Sequence, residues 1–221
     1  SKRIVTYDYG NDAYNEGRGL AKSTSTINIL IDGEEETVTS AVIQYFIGYY
    51  GDGSPSEVWQ ETKLCSRDVD GNYIMGSVTS LQHIRYSADK ISGGAVREQV
   101  VENWTGSYGA SGKLIDKSSI TNIESNELGW VTNKEVINEI SADGTVSNLI
   151  KVSKQEIEIP AIEGGKKFDK YGNVLSQRVA NSWWKDGEWV LEEIQRVYYT
   201  EVTVSSAMLL DNEIGIEVSG Y

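Results

Sequence analysis

The sequence predicts an all-β fold in which antiparallel hairpins follow one another along the chain and form an extended twisted sheet or a solenoid. Apolar residues recur with a period of two in several segments, which gives a strand one apolar and one polar face. Gly is abundant with 22 residues and Pro is scarce with 2, a balance typical of many tight turns. Five Asp-Gly pairs, a common hairpin sequence, interrupt the β-rich stretches: Asp32-Gly33, Asp52-Gly53, Asp70-Gly71, Asp143-Gly144 and Asp186-Gly187.

The predicted strands differ in how clearly they alternate. Alternation is clear in Val136–Ile140, Gln155–Ile159 and Val197–Val204. The run Ala41–Tyr50 is continuously apolar, and its β-branched and aromatic residues favour a central strand over a short buried helix. Ala207–Gly215 has no clear pattern, so its secondary structure is left open.

The segment Ser182–Val190 is the clearest hairpin, because aromatic strands flank its Asp-Gly turn. We expect its tryptophans to pack across the turn. Alternation places Trp183 and Trp184 on opposite faces, so that one of the two rings faces outward. Outward rings would offer a platform for sugars, although core packing is the simpler interpretation. The ligand-binding candidates are therefore Trp183, Trp184 and Trp189.

The charge balance restricts the partners that the chain can have. It carries 33 acidic and 20 basic side chains, a net charge of −13. Nucleic acids need clustered Lys and Arg and anionic membranes attract basic segments, so we expect neither as a partner. No run approaches the roughly 20 apolar residues of a membrane-spanning helix. A single cysteine allows no disulfide within the chain, and a chain of this length folds without one.

A weak internal repeat runs through the chain. A turn ending in Gly is followed by one residue, then by an aliphatic or aromatic residue and a strand. Its spacing is irregular, which predicts degenerate hairpin repeats in one region over residues 1–221, with a candidate break near 160–165 where a Pro and a Gly pair interrupt the pattern. The alternative is that any all-β chain has such turns. The examples are residues 70–74, 111–115, 143–146 and 171–175.

One of these segments, Phe168–Leu175, resembles the YD repeat of the RHS family, whose core reads aromatic-Asp, two residues, Gly, one residue and an aliphatic. Weaker matches are Thr6–Asn11 and Arg85–Ile91. The resemblance implies hairpins that wind into a long sheet, often a shell, as scaffolding without catalytic residues in very large secreted or cell-surface proteins. The usual Arg-Tyr-x-Tyr-Asp lead is incomplete here, which leaves open whether the sheet closes. The chain begins directly in a strand-like sequence, which favours a fragment or a processed protein.

Candidate catalytic residues are few. His83 is the only histidine, so a Ser-His-Asp or Cys-His system would have to use it. It lies in an alternating strand and is interpreted as structural. Cys65 is interpreted as a small, half-buried residue. With one Cys and one His a structural zinc site is not expected, and 33 acidic residues make some close pair inevitable, so paired carboxylates assign no glycosidase.

Calcium is the one cofactor for which the sequence offers candidate ligands. Asp68, Asp70 and Asn72 place oxygen atoms at alternate positions, as calcium loops do. The twelfth position, counted from Asp68, is Thr79 rather than Glu, so this is not an EF-hand. A hydrated hairpin turn is the simpler interpretation.

Three functions remain open from the sequence. The first is a non-catalytic structural or interaction module of a large secreted or cell-surface protein, with neighbouring repeats or further copies of the chain as partners. The second is a carbohydrate-binding β-domain with a glycan partner, and the third is an all-β carbohydrate-active enzyme. The lack of catalytic motifs favours the first, and with it a location outside the cell or at its surface.

Overall fold

The computed structural model describes residues 2–10, 16–32, 35–162, 164–169, 172–199 and 216–219. In these ranges the chain forms twelve β-strands and one turn of 3₁₀ helix, Ser92–Gly94. The strands are β1 Lys2–Asp8, β2 Ser23–Asp32, β3 Glu35–Tyr49, β4 Pro55–Arg67, β5 Tyr73–Tyr86, β6 Glu98–Trp104, β7 Leu114–Ser125, β8 Val131–Ser141, β9 Leu149–Glu158, β10 Ser176–Lys185, β11 Glu188–Tyr199 and β12 Ile216–Ser219.

The strand order follows the sequence from β1 to β12, and each strand is hydrogen-bonded to the strands before and after it. The pairs are antiparallel. The predicted all-β fold of serial antiparallel hairpins is therefore confirmed. No helix in the described residues is long and apolar enough to span a membrane.

The individual strand predictions hold wherever the structure describes them. Ala41–Tyr50 falls in β3 up to Tyr49, and β3 is a central strand between β2 and β4. Val136–Ile140 lies in β8, and Gln155–Ile159 lies in β9 up to Glu158. Residues 197–199 belong to β11, whereas 200–204 and Ala207–Gly215 lie outside the described residues.

Four of the Asp-Gly pairs lie between consecutive strands, as predicted, whereas Asp32 is the last residue of β2 and Gly33 lies outside the described residues. Asp186-Gly187 is the two-residue turn that the dipeptide favours, with φ of 52° and 89°. Among the described non-glycine residues Asp186 alone has a positive φ. At Asp52, Asp70 and Asp143 only the following Gly has a positive φ.

A different turn recurs along the chain. The turn has five residues, and the backbone N–H of the first residue donates to the carbonyl of the fifth. The N–H of a Gly at the fourth position donates to the carbonyl of the first residue, and the N···O distances of both bonds are 2.8–3.2 Å. Each of these Gly residues has a φ of 78–86°, as in a type I turn with a glycine bulge. The described part of the chain holds six copies, which begin at Tyr50, Asp68, Ile91, Asn126, Ile162 and Asp169.

Of the four predicted examples of the repeat, only residues 70–74 and 171–175 contain the glycine of this turn. Gly71 and Gly172 occupy the same place in two copies of it. Gly112 has no positive φ, and the Gly144 N–H donates to the Ser141 hydroxyl instead of a backbone carbonyl. Gly112 and Gly144 match the sequence pattern of the predicted repeat without forming this turn, because a short pattern does not distinguish one kind of glycine turn from another.

Contacts between residues divide the chain into two compact units. The first comprises Ser1–Ala88, Gln99–Ser119 and Glu139–Ile150, and the second comprises Asp89–Glu98, Ile120–Asn138 and Lys151–Tyr221. Residues 160–165, the predicted break, lie within the second unit between β9 and β10.

Each unit has its own buried residues. In the first unit Cys65 is 8% exposed, more deeply buried than predicted, because it belongs to a core cluster with Ile27, Ile29 and Ala41. The buried hydrophobic residues of the second unit are Ile159, Leu175, Val179 and Ala180.

Candidate functional site

Two rows of side chains cross strands β3 to β6 in the first unit. Paired positions form the first row: Tyr45, Trp59, His83 and Glu102. The second row lies two residues along each strand: Ile43, Glu61, Leu81 and Trp104. Alternate residues of a strand point to the same side, so both rows lie on one face, which we call the aromatic face.

His83 is held between two carboxylates on this face. Its Nδ1 lies 3.0 Å from Glu102 and its Nε2 lies 2.8 Å from Glu57. Arg85 donates to the second oxygen of Glu102 at 2.5 Å. A carboxylate only accepts hydrogen bonds, so the ring can bond to both carboxylates at once only as an imidazolium, in which both nitrogens donate. It stacks on Trp59 with ring centres 4.3 Å apart and planes 6° from parallel, which is favourable for a cation on an indole.

The pKa values agree with this charge state. Burial is the largest influence on His83 and lowers its pKa, but the hydrogen bonds and charges of Glu102 and Glu57 outweigh it and raise the pKa above 6.5. Burial raises the pKa of Glu102, and the His83 hydrogen bond, the Arg85 charge and the Trp104 indole N–H together lower it below its usual value. With both nitrogens committed, His83 has none free to act as a general base.

A buried carboxylate holds the loop between β6 and β7 against the aromatic face. Glu61 is 2% exposed and accepts the backbone N–H of Tyr108 at 2.6 Å. It also accepts the Tyr45 hydroxyl at 3.3 Å and pairs with Lys63 at 3.1 Å. The Tyr108 ring stacks on Tyr45 at 4.2 Å. Burial, followed by the nearby Glu61 charge, raises the Tyr45 pKa, so its hydroxyl stays protonated as the donor.

A cavity of about 300 Å³ lies between this loop and the aromatic face. All of its lining residues are uncharged. Trp59 is central to it, with its ring centre 6.1 Å from that of Trp104 and 5.9 Å from that of Tyr108. The rest of the lining includes Leu81, Ser107, Ala110 and loop glycines. The cavity combines aromatic walls with hydroxyl and backbone groups, which suits a small uncharged ligand.

The opposite side of the same strands carries a ladder of side-chain amides. Each amide nitrogen donates to the next oxygen across the sheet, at 3.0, 3.2, 2.9 and 2.5 Å. Such a ladder fixes strand register, because a slip of one residue would break every bond. The sequence alone does not reveal this ladder, since the register must be known before these residues are seen to be partners. Its members are Gln44, Gln60, Gln82, Asn103 and Asp116.

The tryptophans selected from the sequence lie in the second unit and do not form one platform. Trp184 and Trp189 meet edge to face across the hairpin at 4.9 Å, which confirms the predicted packing. Lys151 Nζ lies 4.4 Å from the centre of the Trp184 ring. Trp183 is 47% exposed on the other face, as alternation predicted, and its indole donates to Glu192. The aromatic face of the first unit was not predicted.

The calcium candidates lie in one copy of the recurring turn. Asp68 Oδ1 accepts the backbone N–H groups of Asp70 at 2.9 Å and Asn72 at 2.7 Å, and Oδ2 accepts the Asn72 side-chain amide at 3.1 Å. These bonds, first that of the Asn72 side chain, lower the Asp68 pKa. Across the described ranges no three His, Cys, Asp or Glu side chains are placed to hold a metal ion together. Calcium binding here stays a prediction.

The charged groups of the aromatic face are therefore paired with one another, while its cavity is lined by uncharged groups. This arrangement can position a loop and bind a small molecule, and it presents no paired nucleophile and base.

No family model matches the chain. A search of curated proteins finds no significant match either.

Proposed function

We propose that this chain is a non-catalytic structural and interaction module, a β-hairpin repeat segment of the YD type from a large secreted or cell-surface protein. The observation that carries the proposal is the strand order, in which each strand pairs with its neighbours in sequence. A single hairpin cannot bury its own face, but successive hairpins do so for one another. Its partners are then neighbouring repeats or further copies of the chain.

The turn at Asp169 gives the YD-like sequence a physical explanation. The Asp169 carboxylate accepts the backbone N–H of Asn173 at 2.8 Å and its side-chain amide at 2.7 Å. Gly172 supplies the φ of 86° that other residues adopt only with strain. Phe168 and Val174 form a bridge at the base of the turn. Each characteristic position of the motif thus has a role, which supports a relationship to YD repeats.

The commitment of polar groups to internal contacts supports a structural function as well. On the aromatic face His83 binds two carboxylates and Glu61 binds the loop. A glycosidase would instead need two carboxyl groups that converge on a cleft and remain free to act on substrate.

Sequencing of the complete native reading frame tests this proposal. We expect flanking segments that repeat the five-residue glycine turn between alternating strands. Antibodies against the chain should then label intact cells or the culture medium as strongly as permeabilised cells. A reading frame without further hairpin repeats, or label confined to permeabilised cells, would contradict the proposal.

A carbohydrate-binding β-domain is the second candidate, favoured by the half-exposed ring of Trp183. A glycan array probed with the wild-type chain and with Trp183→Ala tests it. Glycan signals that disappear in the variant would support a sugar platform at Trp183. Equal signals from both proteins would place any sugar binding elsewhere.

A further inference from the structure

The cavity under the loop of residues 105–113 is not part of the strand pairing on which the proposed function rests. We infer that it binds one uncharged sugar ring of monosaccharide size. Its volume of about 300 Å³ is at the lower end of the range for ligand pockets, which suits a single ring. The inference is independent of the proposed function, because a repeat segment keeps its strand order whether or not it binds a sugar.

The walls favour a ring with both apolar and polar edges. Trp59, Trp104 and Tyr108 provide aromatic surface, against which the C–H groups of a sugar stack. Ser107 adds a hydroxyl at the same cavity.

Charge excludes other classes of small molecule. All of the lining residues are uncharged, so an anionic or cationic ligand would lose its hydration without gaining a partner. The nearest carboxylates are already engaged, Glu61 by Lys63 and Glu102 by His83. A neutral ligand does not compete with these pairs.

The loop is built to keep the cavity in shape. Its two ends are joined by hydrogen bonds of 2.9 Å in both directions between Thr105 and Lys113. Its middle is fixed by the bond from Tyr108 to Glu61. At Gly112 an added Cβ would lie 2.2 Å from the Thr105 carbonyl oxygen, so the closed loop requires glycine there. A preformed cavity spares the ligand the cost of ordering its own site.

The test is a titration with the methyl glycosides of glucose, galactose, mannose and N-acetylglucosamine, followed by saturation-transfer NMR and tryptophan fluorescence. We expect at least one glycoside to bind at a single site with a dissociation constant on the order of 1 mM. Binding should change the fluorescence, because two tryptophans line the cavity. The absence of saturable binding for all four glycosides would overturn the inference, as would tighter binding of indole, a flat apolar probe, than of any glycoside.

Two variants locate the site. Ala110→Leu, at an exposed loop position, adds bulk to the lining and should weaken binding about tenfold or more, while Trp183→Phe in the second unit should leave it unchanged. Equal affinity in Ala110→Leu and wild type, or loss of binding only in Trp183→Phe, would contradict the assignment. Urea unfolding verifies the fold of each variant. If Ala110→Leu lowers the midpoint, Ser107→Ala replaces it, with weaker binding expected at an unchanged midpoint.

Discussion

The turns Asp68–Asn72 and Asp169–Asn173 share one sequence pattern and four internal hydrogen bonds, yet their surroundings differ. Gly71 and Gly172 have φ of 85° and 86°. A Cβ added at Gly71 would meet nothing within 4 Å, whereas one at Gly172 would lie 2.8 Å from the Trp130 ring. Local sequence therefore determines how each turn is built, and packing determines how much a change in it costs.

The difference arises from what each turn packs against. The Asp68 turn joins β4 and β5, and its Val69 side chain is fully exposed. The Asp169 turn lies between β9 and β10 and packs against Trp130, whose ring is 5.0 Å from that of Phe168. Trp130 is itself the last residue of another copy of the turn, which begins at Asn126. In the second unit, therefore, one copy of the turn supports another.

The largest difference between the turns should appear on replacement of their glycines. Gly172→Ala forces a side chain into positive φ and into the Trp130 ring, and we expect a loss of about 2–5 kcal/mol in the free energy of unfolding. Urea denaturation followed by circular dichroism measures it.

Gly71→Ala is the matched control. Here only the backbone strain applies, so the expected loss is about 1–2 kcal/mol. Equal losses for the two variants would mean that the contact with Trp130 does not exist in solution.

A double-mutant cycle isolates that contact. In a Trp130→Leu background the smaller side chain leaves room for the new methyl group, so Gly172→Ala should cost about 1–3 kcal/mol less than in wild type. The four unfolding free energies give the coupling. Gly71→Ala in the same background should show no coupling, and a value as large as that for Gly172 would invalidate the interpretation.

The asparagines should behave alike, because both donate to the Asp of their own turn. Asn72→Ala and Asn173→Ala each remove one side-chain hydrogen bond, of 3.1 and 2.7 Å. We expect losses of about 0.5–1.5 kcal/mol at both sites, measured from urea midpoints. A much larger loss at Asn173 would show that packing, and not only the local turn, holds that residue.

His83 extends the comparison from packing to charge. Its effect should be the smallest, because burial and the two carboxylates act on its pKa in opposite directions. A pKa raised by folding stabilises the protein fully below the unfolded value of about 6.5, and this stability is lost as the pH rises through the folded pKa. The free energy of unfolding should therefore fall as the pH rises above 6.5, as urea denaturation at several pH values would measure.

His83→Gln should abolish this dependence, because Gln does not titrate. Stability of the wild type that stays constant or rises over this range would contradict a charged His83 between Glu57 and Glu102.

Much of the fold could be predicted because its determinants are local. Alternation identified β8 and β9, a run of β-branched and aromatic residues identified β3, and the Asp-Gly dipeptides marked the ends of hairpins. The packing of Trp184 on Trp189 follows directly from a two-residue turn between them. The sign of φ at Asp52 and Asp70 could not be predicted, since the same dipeptide fits two kinds of turn.

The candidate site could not be predicted because it depends on register across several strands. Glu61 looks like any surface acid in a strand, and its hydrogen bond from Tyr108, 47 residues further along the chain, cannot be inferred from the local sequence. Likewise Gln60 and Gln82 become partners only once β4 and β5 are aligned. The calcium and tryptophan candidates were chosen from short motifs, which carry no information on such distant contacts.

The central claim is that each strand pairs with its neighbours in sequence. Nuclear Overhauser effects between backbone protons test it most directly, because adjacent strands lie about 4.8 Å apart and alternate strands about twice that distance. We predict cross-strand effects for Gln60 with Gln82, Ile84 with Val101, and Ala180 with both Glu156 and Ile194. Direct effects between β4 and β6, or the absence of those between β4 and β5, would contradict the account.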